Sequence, residues 1–420
     1  MSFVPTVTTS YETIGESNPN LPPWIMMRPL VFTFLVLAVA AVYFRGMLIP
    51  LFYIFYGIAY CLLFFIGTRF FYNEWTDVPD HVFSRRLFFF SIIFRLFTVV
   101  LLYFIFIHQT GIPFEPFAMD SYSYHNWGKQ IASGMMNGTF DARQFFYYDA
   151  IDDTGQSMLI GFLYYLFGSH VIVFRLFNVI IGSLTVLIYF KLARMAFSWN
   201  VARLSSVMLM LYPSVLYYTG LHLKETSMIF MIILTIYAGI KINNSPRLNL
   251  FSVLLFLAGL IPLFFFRNTL GVLLFASFIL YTVYYQMAGQ GRNIMKLFIS
   301  IAVIIPTLFI AYNTPIHERT QALYERSSGQ FEASMKYRAA RQGGNALAEH
   351  ASLPLFIALG LSGPTPSLVD IPMQETLSFE NPGKFAMNML AFFGFLGFLF
   401  VFRNRSPEHL FIIAVLFGWL

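Results

Sequence analysis

An all-α, polytopic membrane protein, with about 11 transmembrane helices and two large extracytoplasmic loops, is the fold class that this chain predicts. Three observations lead there. Hydrophobic side chains make up 58% of the 420 residues and charged ones only 11%, where soluble chains carry about 25% charged residues. Apolar runs long enough to cross a bilayer recur along the whole chain, and the mean hydropathy is +0.67. The runs are continuous rather than alternating, which selects helices over an outer-membrane barrel, because a spanning helix satisfies its own backbone in lipid.

The same composition excludes disorder, collagen, a coiled coil and a disulfide scaffold. Cys61 is the only cysteine, so no intrachain disulfide exists. The net charge of +6 comes from 26 basic and 20 acidic residues. No basic, aromatic-interleaved patch resembles a nucleic-acid surface.

Residues 1–28 are polar, with no charged segment ahead of an apolar core, and read as a cytoplasmic tail rather than a cleaved signal peptide. The membrane domain then occupies 29–420. Its apolar runs fall at 29–44, 47–68, 87–107, 171–190, 204–220, 226–240, 249–265, 269–286, 297–312, 385–402 and 409–420. The segment 157–167 is too short to span and reads as a re-entrant or interfacial helix. The last run is also short of the roughly 17 residues a crossing needs, so it is expected either to continue in a longer chain or to lie shallowly against the bundle. Two hydrophilic loops, 108–156 and 313–384, interrupt the pattern.

Orientation follows from the basic residues. With the N-terminus inside, the inner loops hold Arg69, Arg85, Arg86, Lys191, Arg194, Arg203, Lys241, Arg247, Arg292, Lys296, Arg403 and Arg405. The short outer loops and 108–156 hold Arg45, Lys129, Arg143, Lys224 and Arg267. This asymmetry satisfies the positive-inside rule and sends both large loops outside. Only Arg95 and Arg175 lie within spans. Charge inside a membrane is functional by default, but Arg175 is near the outer end, where it could snorkel, and Arg95 reads as structural.

The loop 108–156 carries the first chemical candidate. After Pro116, Asp120 opens an expected helix as its N-cap, and Tyr124, Trp127 and Ile131 recur on one face until Gly134 stops it. Such a stripe suits the membrane interface. Asp120 is then either a plain cap or a base poised just outside the membrane. His125 lies off the Asp120 face and reads as an interfacial histidine. Glu115, Asp141, Asp149, Asp152 and Asp153 share the loop. They could attract a divalent cation, although no ligand spacing is diagnostic.

Further along, the order of features resembles a known family. A span ends, an outer loop carries MDSYSYHNWGKQIASG, and a second short helix closes in LFGS. VFRLFNVIIGSLTVLIYFKLARMAF follows with Arg175 and Asn178, then the proline-containing span LMLYPSVLYYTG and the outer turn GLHLKETSMIF with Lys224 and Glu225. Residues 117–240 resemble the core of GT-C glycosyltransferases, the polytopic enzymes that use polyprenyl-phosphate-linked sugars, among them dolichyl-phosphate-mannose-dependent protein mannosyltransferases and aminoarabinose transferases. The resemblance implies that Asp120 matches the family's catalytic acid and Glu225 its later outer acid. Two departures stand out. Met119-Asp120-Ser121 and Asp152-Asp153-Thr154 replace the family's double acid or Pro-Pro, which leaves the catalytic partner of Asp120 unassigned, and two extra spans precede the core.

On that resemblance the expected activity is inverting transfer of a sugar from a polyprenyl-phosphate donor to an acceptor hydroxyl on a glycan, lipid or protein. The chain would then be multi-pass in a bacterial inner membrane, with a periplasmic site. Asp120 would take the hydroxyl proton. The leaving phosphate needs a cation, for which Arg267 in LFFFRNTLG is the first choice, with Lys224 and Arg175 next. Glu225 would orient Lys224 or the acceptor, and Tyr124 would line the binding face. Each has a plain alternative, such as a snorkelling arginine or a helix-terminal acid.

Competing functions stay open. The basic helix expected within 313–384 would suit an O-antigen polymerase or ligase that uses a diphosphate-linked oligosaccharide. A lipid-linked glycan transporter or flippase would require mid-span acids or an inverted repeat, and neither is evident.

Overall fold

The computed structural model describes residues 51–115, 119–141, 154–245 and 249–287, with Arg28, Val31, Glu408, Phe411 and Ile412. The expected spans 297–312 and 385–402 and the loop 313–384 lie outside the described residues, as does all but Val31 of the run 29–44 and all but Phe411 and Ile412 of the run 409–420.

Among the described residues the chain is all helical. The helices are α1 (Leu51–Glu74), α2 (Asp80–Thr110), α3 (Met119–Met136), α4 (Thr154–Phe167), α5 (Val171–Ala196), α6 (Trp199–Leu211), α7 (Pro213–Thr219), α8 (Glu225–Asn244), α9 (Leu250–Phe266) and α10 (Asn268–Met287). Among the described residues four stretches, Asp80–His108, Val171–Ala196, Glu225–Asn244 and Asn268–Gln286, are long and apolar enough to cross a membrane, and Leu250–Phe266 is a shorter apolar helix. The expected span 204–220 is two helices. Pro213 opens α7, and Tyr212 before it leaves the helical region (φ −64°, ψ 118°) because a residue preceding proline is crowded out of it. Gly111 ends α2 in the left-handed region at φ 75°, where its N–H closes on the Ile107 carbonyl.

Helices α2, α5, α8, α9 and α10 run up and down between two ends. At one end Asp80 opens α2 and meets Arg194, in the last turn of α5, at 3.3 Å and Arg203 of α6 at 2.9 Å. Arg203 also donates to the carbonyls of Trp75 (2.7 Å) and Thr76 (2.9 Å) and lies 3.5 Å from the centre of the Trp199 ring. At the other end Arg175, the fifth residue of α5, donates to the Pro113 carbonyl just beyond α2. Phe256 of α9 and Phe278 of α10 have ring centres 4.3 Å apart, so the chain doubles back at Arg267.

Apolar packing explains the pairings. Trp75, Phe83, Leu87, Val186, Phe190 and Met210 join α2, α5 and α6 to the end of α1. A second core of Ile236, Ile240, Phe256, Leu263 and Leu274 joins α8, α9 and α10, with Phe411 stacked on Tyr281. On α2, Phe89, Ile93, Phe97, Val100 and Phe104 are exposed at intervals of one helical turn. An outward apolar stripe of this kind suits lipid rather than water. Arg95, on the same helix, points inward. It is fully buried, donates to Ser91, and lies where a Cβ on Gly182 of α5 would stand 2.6 Å from its Nε.

Candidate functional site

The end of the bundle opposite Asp80 gathers residues from three separate stretches of chain. Asp120 is exposed in the first turn of α3. It is the second residue of that helix, not its cap, since the helix begins at Met119. The helix also passes through Gly134 to Met136 rather than stopping there. Lys224 caps α8 and Glu225 is its first residue. Arg267 is the exposed corner between α9 and α10, and its carbonyl accepts from the amides of Leu270 and Gly271.

Glu225 ties the group together. Its carboxylate is half-buried and lies within electrostatic reach of Lys224, Asp120 and Arg267. Glu225 Oε2 is sealed from solvent and has no hydrogen-bond partner. A buried polar atom without a partner is uncommon in a settled structure. Two carboxylates and two cations at one end can accept a proton and hold an anionic group side by side.

Arg175 and Tyr124 sit deeper. The Arg175 guanidinium is fully buried, with Glu115, Tyr164 and Tyr103 within electrostatic reach, and its Nε and Nη1 have no partner. Glu115 in turn accepts a hydrogen bond from Ser121, the neighbour of Asp120. Tyr124 is 8% exposed and packs in the apolar cluster with Ile160, Leu163 and Phe174.

Beneath them lies a polar network that sequence reasoning missed. The Tyr164 hydroxyl of α4 bridges His125 Nδ1 of α3 (2.7 Å) and His222 Nε2 of the 220–224 segment (3.1 Å). Gln156 donates to the His222 carbonyl at 3.3 Å and Asn178 to the Leu221 carbonyl at 3.1 Å, so two side-chain amides hold a stretch that no regular helix holds. Phe174 and Phe114 flank the His222 ring at 5.0 and 5.5 Å. His125 is therefore a buried bridge partner rather than an interfacial histidine. Burial, aided by Lys129 and Arg175, holds it down to about 4. Burial also pushes His222 well below the ordinary imidazole range, with Arg175 and His125 acting the same way, and pushes the Tyr164 phenol up. All three groups are neutral near pH 7. The available signal was polar residues within apolar stretches (Tyr164, Asn178) or at their edges (Gln156, His222), whereas the choice of in-span residues by charge picked out only Arg95 and Arg175.

Among the described residues no group of three or more His, Cys, Asp or Glu is arranged to hold a metal ion. Asp149, Asp152 and Asp153 of the acidic loop lie outside the described residues. An open cavity of about 420 Å³ occupies the other end of the bundle, between Thr76–Asp80, Trp199 and Arg203. Its guanidinium is committed to Asp80 and to backbone carbonyls, and none of the residues selected from the sequence line it.

No protein-family model, curated protein or solved structure matches the chain.

Proposed function

We propose that this chain is a membrane-embedded glycosyltransferase of the GT-C type, moving a sugar from a polyprenyl-phosphate donor to an acceptor hydroxyl with inversion. The observation that carries the reading is the convergence on Glu225. Asp120, chosen from the sequence as the base, and Arg267 and Lys224, chosen as cations for the leaving phosphate, all lie within electrostatic reach of its carboxylate.

In this mechanism the acceptor O–H loses its proton to the exposed Asp120 carboxylate as its oxygen attacks the anomeric carbon. The bond from that carbon to the donor phosphate oxygen breaks, and its electron pair leaves with the polyprenyl phosphate. Arg267 and Lys224 offset the charge that develops on the phosphate, Arg267 through a planar fork that matches its oxygens. Glu225 keeps Lys224 in place. The site opens to water at Asp120 for the acceptor, while the donor's prenyl chain enters from lipid.

The distribution of basic residues supports a site on the outer side. Exposed Arg85, Arg86, Lys191 and Arg194 belong to the Asp80 end, and an excess of basic residues marks the cytoplasmic end of a helix bundle. The N-terminus would then be cytoplasmic and the acceptor a periplasmic glycan, lipid or protein.

The test is a transfer assay on the purified chain in lipid with a panel of polyprenyl-phosphate sugars. Wild-type transfer that disappears in Asp120→Asn is the expected result. Transfer insensitive to Asp120 but dependent on the arginines of 313–384 would instead point to a polymerase or ligase using a diphosphate-linked glycan.

A further inference from the structure

The His125–Tyr164–His222 bridge is absent from the mechanism above, yet it joins the two pieces of chain that the mechanism must hold together. His125 is on α3, one and a half turns beyond Asp120, and His222 stands two residues before Lys224. The hydrogen bonds that connect them pass through one phenol oxygen.

Two other readings of the network fail on geometry. A sugar or phosphate subsite would need room. Gln156 Oε1, Ser157 Oγ, Asn178 Oδ1 and His222 Nδ1 are all sealed from solvent, which leaves no space for a ligand beside them. A metal site would need a third ligand, and the phenol between the imidazoles is neutral.

A bridge has what it needs. If His222 Nε2–H donates to Tyr164 and the Tyr164 O–H donates to His125 Nδ1, then His222 Nδ1 is left as a lone pair. A buried lone pair is the cheaper group to leave unpartnered. Gln156, Asn178, the amides of Gly220 and Leu221 and the packing of Leu221 on Leu102 and Phe106 hold this segment to α4, α5, α7 and α2, whereas the phenol bridge hydrogen-bonds it to α3.

We propose that Tyr164 is a positioning residue whose hydroxyl, shared by His125 and His222, locks the helix bearing Asp120 against the segment that presents Lys224 and Glu225. The catalytic part of this role rests on the glycosyl-transfer reading, while the mechanical part does not. Loss of the hydroxyl leaves the ring and its packing in place but uncouples the two segments. The carboxylate and the cations then meet in productive geometry less often, which lowers turnover without altering donor affinity.

The experiment compares the full chain, Tyr164→Phe and Ser183→Ala in lipid nanodiscs. Ser183 is a control because its buried hydroxyl bonds only within its own helix, to the Val179 carbonyl. Amide hydrogen exchange should rise about tenfold in 119–126 and 220–225 of Tyr164→Phe, as expected for losing a bridging hydrogen bond, with α8 and α9 beyond their first turns unchanged. Ser183→Ala should leave both segments as in wild type. Sugar transfer from the polyprenyl-phosphate panel should fall about tenfold in Tyr164→Phe at unchanged donor KM. Unchanged exchange in 220–225, or a rise spread evenly over the chain, overturns the bridge. Local loosening with wild-type transfer rates overturns the positioning role. Absence of transfer in wild type as well removes the glycosyl-transfer reading and the catalytic role with it, while the exchange result still decides the coupling.

Discussion

Gly161 of α4 lies so close to Ile131 of α3 that a Cβ on the glycine would stand 2.3 Å from Ile131 Cγ2 and 2.6 Å from its Cβ. The contact is reciprocal, since a Cβ on Gly128 would stand 2.4 Å from Ile160 Cγ2. Small residues facing each other bring two helix backbones close enough for extensive van der Waals contact, which matters most where lipid removes the hydrophobic drive between helices.

Gly161→Ala is therefore expected to destabilise. Alanine gains up to about 1 kcal/mol in helix propensity. The added methyl meets the branch point of Ile131 rather than a free side-chain end, so α3 must shift, at about 1–3 kcal/mol. A lowered thermal midpoint in detergent checks this, and an unchanged or raised midpoint would sink it. Because α3 carries Asp120, transfer should fall along with stability.

Arg203 is expected to resist conservative change. It serves Asp80 and the carbonyls of Trp75, Thr76 and Val78 while lying over Trp199 and Phe83. A lysine ammonium cannot cover this planar arrangement. Arg203→Lys should lose about 2–3 kcal/mol, and Arg203→Ala about 3–5 kcal/mol because the carbonyls are then stranded. Unfolding monitored by tryptophan fluorescence would report it, through Trp75 and Trp199 at the same end.

The two bridged histidines predict an acid-labile fold. Both are held below the unfolded imidazole value, His125 to about 4. Between that value and about 6.5 the unfolded chain binds more protons than the folded one. Their contribution is thus complete above about 6.5 and declines as pH falls toward 4. The thermal midpoint should drop over this window in wild type and drop less in His125→Gln. Equal slopes for the two proteins would contradict it.

At the candidate site the charges should separate by role. Asp120→Asn should lower transfer by about 10²–10⁴-fold with donor KM little changed, as loss of a general base does. Arg267→Met should lower turnover, and Arg267→Lys should recover part of it, because a point charge replaces some of what the fork provides. Steady-state kinetics with a polyprenyl-phosphate sugar distinguishes these outcomes, and full activity of Arg267→Met would remove the arginine from the mechanism.

Much of the helical framework was legible in the residues. The runs at 171–190 and 226–240 lie inside α5 (Val171–Ala196) and α8 (Glu225–Asn244), and the short segment at 157–167 is helix α4. The helices extend past the apolar runs because a polar side chain at a helix end can stay helical once it reaches water or headgroups. Gly134 failed as a stop because a glycine weakens a helix without blocking its hydrogen bonds, and packing against α4 carries α3 on to Met136. Lys224, Glu225 and Arg267 could be chosen in advance because each is a charge at the edge of an apolar run, and Asp120 because it opens a helix in an outer loop.

Tyr164, His125 and His222 could not be chosen in that way. Residence in a membrane and helical structure are local consequences of composition, since each apolar run must satisfy its own backbone wherever it lies in lipid. Hydrogen bonds between helices depend on how far each helix is rotated and how closely it crosses its neighbours, and those quantities are set by contacts such as Gly128–Ile160 and Gly161–Ile131. The order of helices and the ends that carry charge are thus written along the chain, whereas the meeting of His125, Tyr164 and His222, and the grouping of three charges around Glu225, exist only once those crossings have formed.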